Sequence, residues 1–372
     1  MEKTFSIDQK SLLAVLSSMQ PICTKRTTID ATSFISFQIG QKELILKATD
    51  LEISLQSNCI LPNSSCVEPE TFLVSGKRIF DVVKELEGTI VCSLMGTQLL
   101  LESGSVNLAL HCKESHEFPP FPERIENLMH LDAKLLLEML ERVAFLIPQN
   151  NANQALNGLL LELSSTDLTM TTTDGHCLAQ VTSSAYTLET SRTWLLPRRA
   201  IFELKKILES SHDTTVFLGV CGNQLVFSGE YFNFFTKLFA DPFPQYKPIL
   251  DKTGFFSGQF DRLKLIKTLR RSACLLSGQF LATRFAFDNH KVHVSMHNKE
   301  VGKFDEFLTL QNYTGPEMDI RFFAPYLLSG MQVLQDEYTT FYLKNSSKPI
   351  MFESHLARYQ VTYLVMPVSP TA

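Results

Sequence analysis

Three stretches of the chain lie over one another at a spacing of 124 residues without a gap. Phe37, Leu161 and Phe285 fall in register, as do Ile39, Leu163 and Phe287, then Leu44, Leu168 and Val292, then Leu46, Met170 and Val294, and finally Asp50, Asp174 and Asn298. Each stretch is an alternating apolar run, a short polar turn and a second alternating run, the period-two pattern of a half-buried β-hairpin. The turns are Gly40-Gln41-Lys42, Ser164-Ser165-Thr166 and Asp288-Asn289-His290. The match continues outward. Upstream, the leucine-rich segments beginning at Leu12, Leu135 and Leu263 have helical spacing. Downstream, Val74-Ser75-Gly76-Lys77-Arg78-Ile79-Phe80, Leu196-Pro197-Arg198-Arg199-Ala200-Ile201-Phe202 and Pro325-Tyr326-Leu327-Leu328 predict second helices, each entered through a small residue or a proline.

The repeated unit is therefore a whole domain with two helices packed on β-sheet, and the fold class is α+β. A length of 372 residues accommodates three such domains, placed at 1–126, 127–253 and 254–372. The period is far longer than the roughly 20–50 residues of solenoid and propeller repeats. At 44% hydrophobic and 20% charged residues, each domain can bury a core of its own. Met1-Glu2-Lys3-Thr4 has no signal-peptide character, and no apolar run approaches the roughly 20 residues of a membrane span, so an intracellular chain without membrane contact is expected. The eight cysteines form no Cys-x-x-Cys pair and no zinc spacing with histidine, so reduced, buried thiols and no metal or cofactor are expected.

A net charge of −5 argues against a protein that coats DNA with its whole surface. The average conceals an asymmetry. Residues 196–208 carry Arg198, Arg199, Lys205 and Lys206 against Glu203, and residues 261–273 carry Arg262, Lys264, Lys267, Arg270 and Arg271 against Asp261. The segment 75–86, with Lys77, Arg78 and Lys84, is less basic, and 132–144 is slightly acidic. One such helix is a solvated face. Repeated helices facing one side would make a surface that attracts a polyanion without reading its sequence.

Catalysis finds no support. Asp174 and His176 stand two apart in Thr173-Asp174-Gly175-His176, but Asp-Gly between alternating runs is first of all turn chemistry. The equivalent copies, Asp50-Leu51-Glu52 and Asn298-Lys299-Glu300, supply no histidine. No nucleophile elbow, phosphate-binding loop, dinucleotide fingerprint or His-Glu-x-x-His occurs. The terminal run Tyr363-Leu364-Val365-Met366-Pro367-Val368 reads as a last strand, and beside the Asp-Gly-His turn it could wall an apolar cleft for a short peptide.

Taken jointly, the three copies, Thr173-Asp174-Gly175-His176 after Leu156-Asn157-Gly158, Phe243-Pro244-x-Tyr246 and Tyr363-Leu364-Val365-Met366-Pro367 resemble the bacterial replicative sliding clamp, the β subunit of DNA polymerase III, over essentially the whole chain. The resemblance implies a non-catalytic processivity factor of the cytoplasm: a head-to-tail homodimeric ring around duplex DNA, helices lining the hole and sheets outside. Its implied partners are the polymerase subunit, the clamp loader and other polymerases and repair factors carrying a clamp-binding peptide. The peptide site would comprise Leu156, Thr173, Gly175, His176, Cys177, Leu178, Pro244, Pro248, Ile249, Ser347, Pro349, Leu364, Val365, Met366, Pro367 and Val368. Two departures stand out: Cys177 replaces a common arginine, and the tail Ser369-Pro370-Thr371-Ala372 lacks the usual basic residue.

Positions resembling family DNA contacts are Lys25, Arg26, Asn150 and Gln154, the last without the aromatic neighbours common there. Charge alone adds Lys77, Arg78, Arg198, Arg199, Lys205, Lys264, Lys267, Arg270 and Arg271. The implied dimer contact joins an edge strand carrying Leu108 and Leu110 to the region of Cys274 and Leu275 and a nearby strand. The alternative reading is a clamp-fold peptide-binding scaffold with weakened DNA retention.

Overall fold

The computed structural model describes residues 3–25, 27–122, 124–278 and 280–368. Arg26 and the tail Ser369 to Ala372 lie outside the described residues.

The three hairpins form at the 124-residue spacing. Phe34–Ile39 pairs with Glu43–Thr49, Gly158–Leu163 with Leu168–Thr173, and Thr283–Phe287 with Lys291–Asn298. Phe37 faces Leu46, Leu161 faces Met170 and Phe285 faces Val294, so the pairing register repeats. Each turn closes with one main-chain bond at the same place: Gly40 N–H to Glu43 O (2.8 Å), Ser164 N–H to Asp167 O (2.9 Å), Asp288 N–H to Lys291 O (2.9 Å). A one-residue slip would turn these apolar side chains outward, so burial and turn together hold the register.

After each hairpin the chain turns again on the residue that matched as Asp50, Asp174 and Asn298. The side-chain oxygen of Asp50 accepts from Glu52 N–H and Ile53 N–H, that of Asp174 from His176 N–H and Cys177 N–H, and that of Asn298 from Glu300 N–H and Val301 N–H. The matched residue type is thus an Asx turn, a short acceptor satisfying two donors that the bend leaves without ladder partners.

Among the described residues, six α-helices follow two to a copy: α1 (Gln9–Cys23), α2 (Gly76–Lys84), α3 (Ala133–Val143), α4 (Arg198–Ser210), α5 (Arg262–Ala273) and α6 (Ala324–Val333). The first helix of every copy starts on an aspartate whose carboxylate accepts a first-turn N–H: Asp8 from Ser11, Asp132 from Leu135, Asp261 from Lys264. α2 approaches α1 closely because Gly76 has no side chain; a Cβ there would lie 2.7 Å from that of Cys23.

The chain divides into two compact units, residues 1–137 with 199–238, and 138–198 with 239–372. The first holds a thirteen-stranded and the second a twelve-stranded antiparallel sheet among the described residues. The middle copy contributes strands to both. In the first unit its last strand, Phe232–Lys237, pairs with Ile53–Ile60 of the first copy. In the second unit its strand Cys177–Ser183 pairs with Gln360–Val365, the last strand of the third copy. One rule describes both junctions: the strand after an Asx turn pairs with the last strand of the next copy.

Asp50 carries a second burden. Its carboxylate is buried, at 3% exposure, and Arg199 Nη1 donates to it while Arg199 Nη2 donates to Pro21 O at 2.9 Å. Asp50→Asn should keep the Asx turn, as Asn298 does, and lose only the ion pair; Asp50→Ala should lose both. Urea unfolding should rank them, with roughly 2–4 kcal/mol lost for the alanine variant and clearly less for asparagine. Equal losses would mean that the turn bonds contribute nothing.

Candidate peptide-binding cleft and basic helices

The Asx turn at Asp174 sets one wall of an apolar cleft. Gly175 takes φ of +93°, and Thr173 Oγ1 donates to Cys177 O at 2.6 Å while accepting from Gly175 N–H. Beyond the turn, Cys177 and Leu178 pair with Val365 and Leu364, and Met366 N–H extends the ladder to His176 O at 2.9 Å. Alternation then places Leu364 and Met366 on the cleft and Val365, with no exposure, in the core behind it. A third wall comes from Pro244 to Ile249. Its Tyr246 meets Phe243 edge to face at 6.0 Å, its hydroxyl donates to Glu162, and Lys247 Nζ lies 3.0 Å from the same carboxylate. Beneath lies a packed cluster of Ala155, Leu160, Leu178, Leu195, Tyr246, Met351 and Leu364. The floor is rigid because it is core.

The resulting cavity is about 250 Å³. Of the residues assigned from sequence, Leu156, Thr173, Gly175, His176, Cys177, Leu178, Pro244, Ile249, Leu364 and Met366 line it. Gln245 and Tyr246 also line it and were missed, although both fall inside the Phe243-Pro244-x-Tyr246 pattern. Ser347, Pro367 and Val368 surround a neighbouring cavity of about 460 Å³, which shares Met366. Val365, the exposed Pro248 and the buried Pro349 line neither. Proximity in sequence misled there, because strand alternation and the short 3₁₀ turn Lys247–Leu250 point neighbours in opposite directions. Tyr326 of α6 stacks on His176 at 5.6 Å, a partner 150 positions away that no local pattern signals.

Asp174 Oδ1 accepts from both backbone donors of its turn. The Cys177 thiol is buried, at 1% exposure, and burial pushes it up to about 12 against a weaker opposing hydrogen bond from Tyr363. No cluster of metal-ligating side chains occurs among the described residues.

The basic residues divide into held and free. Lys25 pairs with Glu52 and lies 3.8 Å from Asp50. Arg199 is the Asp50 tether, Arg271 pairs with Glu306, and Lys264 lies 3.2 Å from Asp261. Arg198 Nε donates to Ile147 O at 3.0 Å. The arginines assigned to DNA on charge at the start of α4 thus have structural work, because a buried carboxylate and an unpaired carbonyl recruit the nearest guanidinium. Lys77, Arg78, Lys267 and Arg270 are exposed with no ion-pair partner among the described residues, and Lys205 is half-buried. Asn150 and Gln154 are exposed, Gln154 in the 3₁₀ turn Gln154–Asn157.

The strand carrying Leu108 and Leu110, Val106–Glu114, is not an edge along its whole length. Residues 112–114 pair with Phe72–Val74, while residues 106–111 pair only with Gln98–Ser103 and leave their other side open. Val106 and Leu108 are exposed there. Cys274 and Leu275 lie at the end of α5 and not on a strand, Cys274 being its C-cap. The nearby strand Gly302–Gln311 is half-open in the same way: 302–309 pair with Lys291–Asn298, and only 310–311 also meet Gln259 and Phe260.

The structure is thus a module of two helices on antiparallel sheet, repeated three times, with an apolar cleft where the second and third copies pair. Comparison with known proteins is specific. Models of the DNA polymerase III beta subunit match in order, the N-terminal domain over residues 3–122, the central domain over 130–245 and the C-terminal domain over 258–369. The beta sliding clamps of Pseudomonas aeruginosa and Escherichia coli are each 26% identical to this chain, over 98% of it and 99% of their own length. Among solved structures, a P. aeruginosa sliding clamp superimposes with a TM-score of 0.90 at 24% identity, covering 99% of this chain and all of that one. The Thermotoga maritima beta subunit does so at 0.89 and 21% identity, covering 99% of both. This chain belongs to the DNA polymerase III beta subunit family, the bacterial beta sliding clamps, and is built of three clamp domains.

Thiol chemistry tests the packing around the cleft. Burial pushes Cys23, Cys92 and Cys177 up to about 12 from 9.0, so their neutral form is favoured in the folded chain. That stabilisation is complete below pH 9 and is lost as pH rises from 9 towards 12, where the unfolded thiols ionise first. Iodoacetamide at pH 8 should label exposed Cys274 and spare these three until denaturant is added, with peptide mass spectrometry as the readout. Rapid labelling of Cys177 in the folded chain would contradict a closed floor.

Proposed function

We propose that two copies of this chain close head to tail into a ring that retains duplex DNA by enclosure, and that the cleft tethers partner proteins to it. The observation that carries this reading is the junction rule. Each junction joins the strand after an Asx turn to the last strand of the next copy, and it is made twice within the chain. Two strands are left over in the corresponding places: Gly302–Gln311 after the Asn298 turn, and Val106–Glu114 at the end of the first copy. Both keep an open backbone side. They complete one another only between chains, and a heterologous contact of this kind closes into a ring or runs on as a filament. With three domains per chain, bounded at 1–126, 127–253 and 254–372, two chains give six equivalent junctions.

Phosphate contact is assigned to Lys77, Arg78, Lys267 and Arg270, together with Lys205, Asn150 and Gln154. Such contacts carry no sequence information and let the duplex slide. The cleft receives a short apolar peptide from the polymerase subunit, the clamp loader, or other polymerases and repair factors. The activity is non-catalytic and its place is the bacterial cytoplasm; no helix among the described residues is long and apolar enough to cross a membrane.

The alternative, a peptide-binding scaffold with weakened DNA retention, has its own observation: carboxylates hold Lys25, Arg199, Lys264 and Arg271. Loading onto nicked circular DNA followed by linearisation separates the two. A ring stays on the circle and is lost from the cut ends, whereas a scaffold shows no difference. Lys267→Glu with Arg270→Glu, which removes four cations from a ring of two chains, should reduce retention and flatten its salt dependence, by up to roughly 4 in the log–log slope.

Two substitutions divide assembly from tethering. Leu108→Asp should yield monomers in size-exclusion chromatography with light scattering, and an intact dimer would rule out that edge. Met366→Glu should keep the dimer and weaken a cleft-binding peptide at least tenfold, roughly the cost of a charge in an apolar site.

A further inference from the structure

The cavity that forms the cleft has no acidic or basic side chain in its lining apart from His176, so it can select apolar anchors but not the charge of what flanks them. The surface leading away from it is different. We infer that the cleft continues into a cationic shelf on the outer face of the third domain, which takes an acidic flank of the bound peptide. This rests on the tethering reading above.

Continuity comes from two shared residues. Met366 lines both the cleft and the adjoining cavity of about 460 Å³, and Arg321 lines both that cavity and a third of about 430 Å³. Strand register lays out the third cavity. Arg321 faces Arg284, Arg284 faces Ser295 and Ser295 faces Asp305, so these four form one row across four strands; His297 faces Lys303 in the next row. Arg284 is spoken for, its Nε and Nη2 each 2.6 Å from Asp319. Arg321 and Lys303 are exposed and have no carboxylate partner among the described residues, and Asp305 is the only acid lining the third cavity. Four strands at roughly 4.8 Å spacing span about 14 Å, the length of about four extended residues. A flank of about four acidic residues has the reach to meet Arg321 at its near end and Lys303, in the next row, at its far end, where Asp305 offsets one charge.

The test uses fluorescein-labelled peptides with one Leu-Leu-Phe anchor, preceded or followed by either four glutamates or four glutamines, titrated against the full chain by anisotropy at low salt. In one of the two placements the glutamate peptide should bind roughly three- to tenfold tighter, and the advantage should vanish at high salt. The double variant Arg321→Gln, Lys303→Gln should erase that preference while binding the glutamine peptides within twofold of the parent and melting at the parent temperature. Equal binding of glutamate and glutamine peptides by the parent chain overturns the shelf and leaves the cleft standing. A preference that survives the double variant also overturns it. Failure of every peptide to bind overturns the cleft and the shelf together. If the double variant instead loses DNA retention with peptide preference intact, these cations belong to nucleic-acid contact and the inference falls.

Discussion

Main-chain pairing between successive copies is the constraint on which the rest of the structure depends. A strand needs a neighbour on each side or water in its place, and this chain resolves the need internally at Ile53–Ile60 with Phe232–Lys237 and at Cys177–Ser183 with Gln360–Val365. The same pairing decides where the cleft lies. Leu364 and Met366 reach it only because the last strand of the third copy is zipped to the strand leaving the Asp174 turn. A junction made for stability thus also presents apolar side chains of two copies to a common hollow.

The matched position of the Asx turns shows how a repeat diverges without losing its fold. Asp50, Asp174 and Asn298 do the same local work, accepting two backbone N–H groups at a bend. Around that common core each copy has added something different. Asp50 holds a guanidinium and is sealed away from water, Asp174 is followed by the glycine and histidine that edge the cleft, and Asn298 donates to Leu275 O at 2.6 Å, tying the end of α5 to the turn. Among the described residues, an arginine is paired with this position in the first copy, where Arg199 meets Asp50. Asparagine in the third copy satisfies the same donors without a charge to compensate.

Charge follows the same economy. Carboxylates close to a helix or a turn capture the cations nearest to them, so a count of basic residues per helix overstates what is available to a polyanion. Glu52, Asp50, Asp261 and Glu306 between them occupy four of the residues that charge or resemblance had assigned to DNA. What remains without an ion-pair partner among the described residues is a small exposed set on α2 and α5, Lys77, Arg78, Lys267 and Arg270.

Periodicity and spacing alone determined the hairpins, their turns, the two helices of each copy and the number of copies, because alternation, helical spacing and turn chemistry are local and were written three times. The resemblance, carried by motifs in a family's order, named ten of the residues that line one cavity. The tertiary structure decided what depends on distant partners: that Arg199 is drawn to Asp50 across 149 positions, that Val365 turns inward while its neighbours turn to the cleft, that Tyr326 stacks on His176, and that the strand of Leu108 is open over only part of its length. The physical reason is common to all of them. Burial, pairing and charge neutralisation are satisfied by whichever group folding brings near, and nothing in the local pattern of either partner records which one that will be.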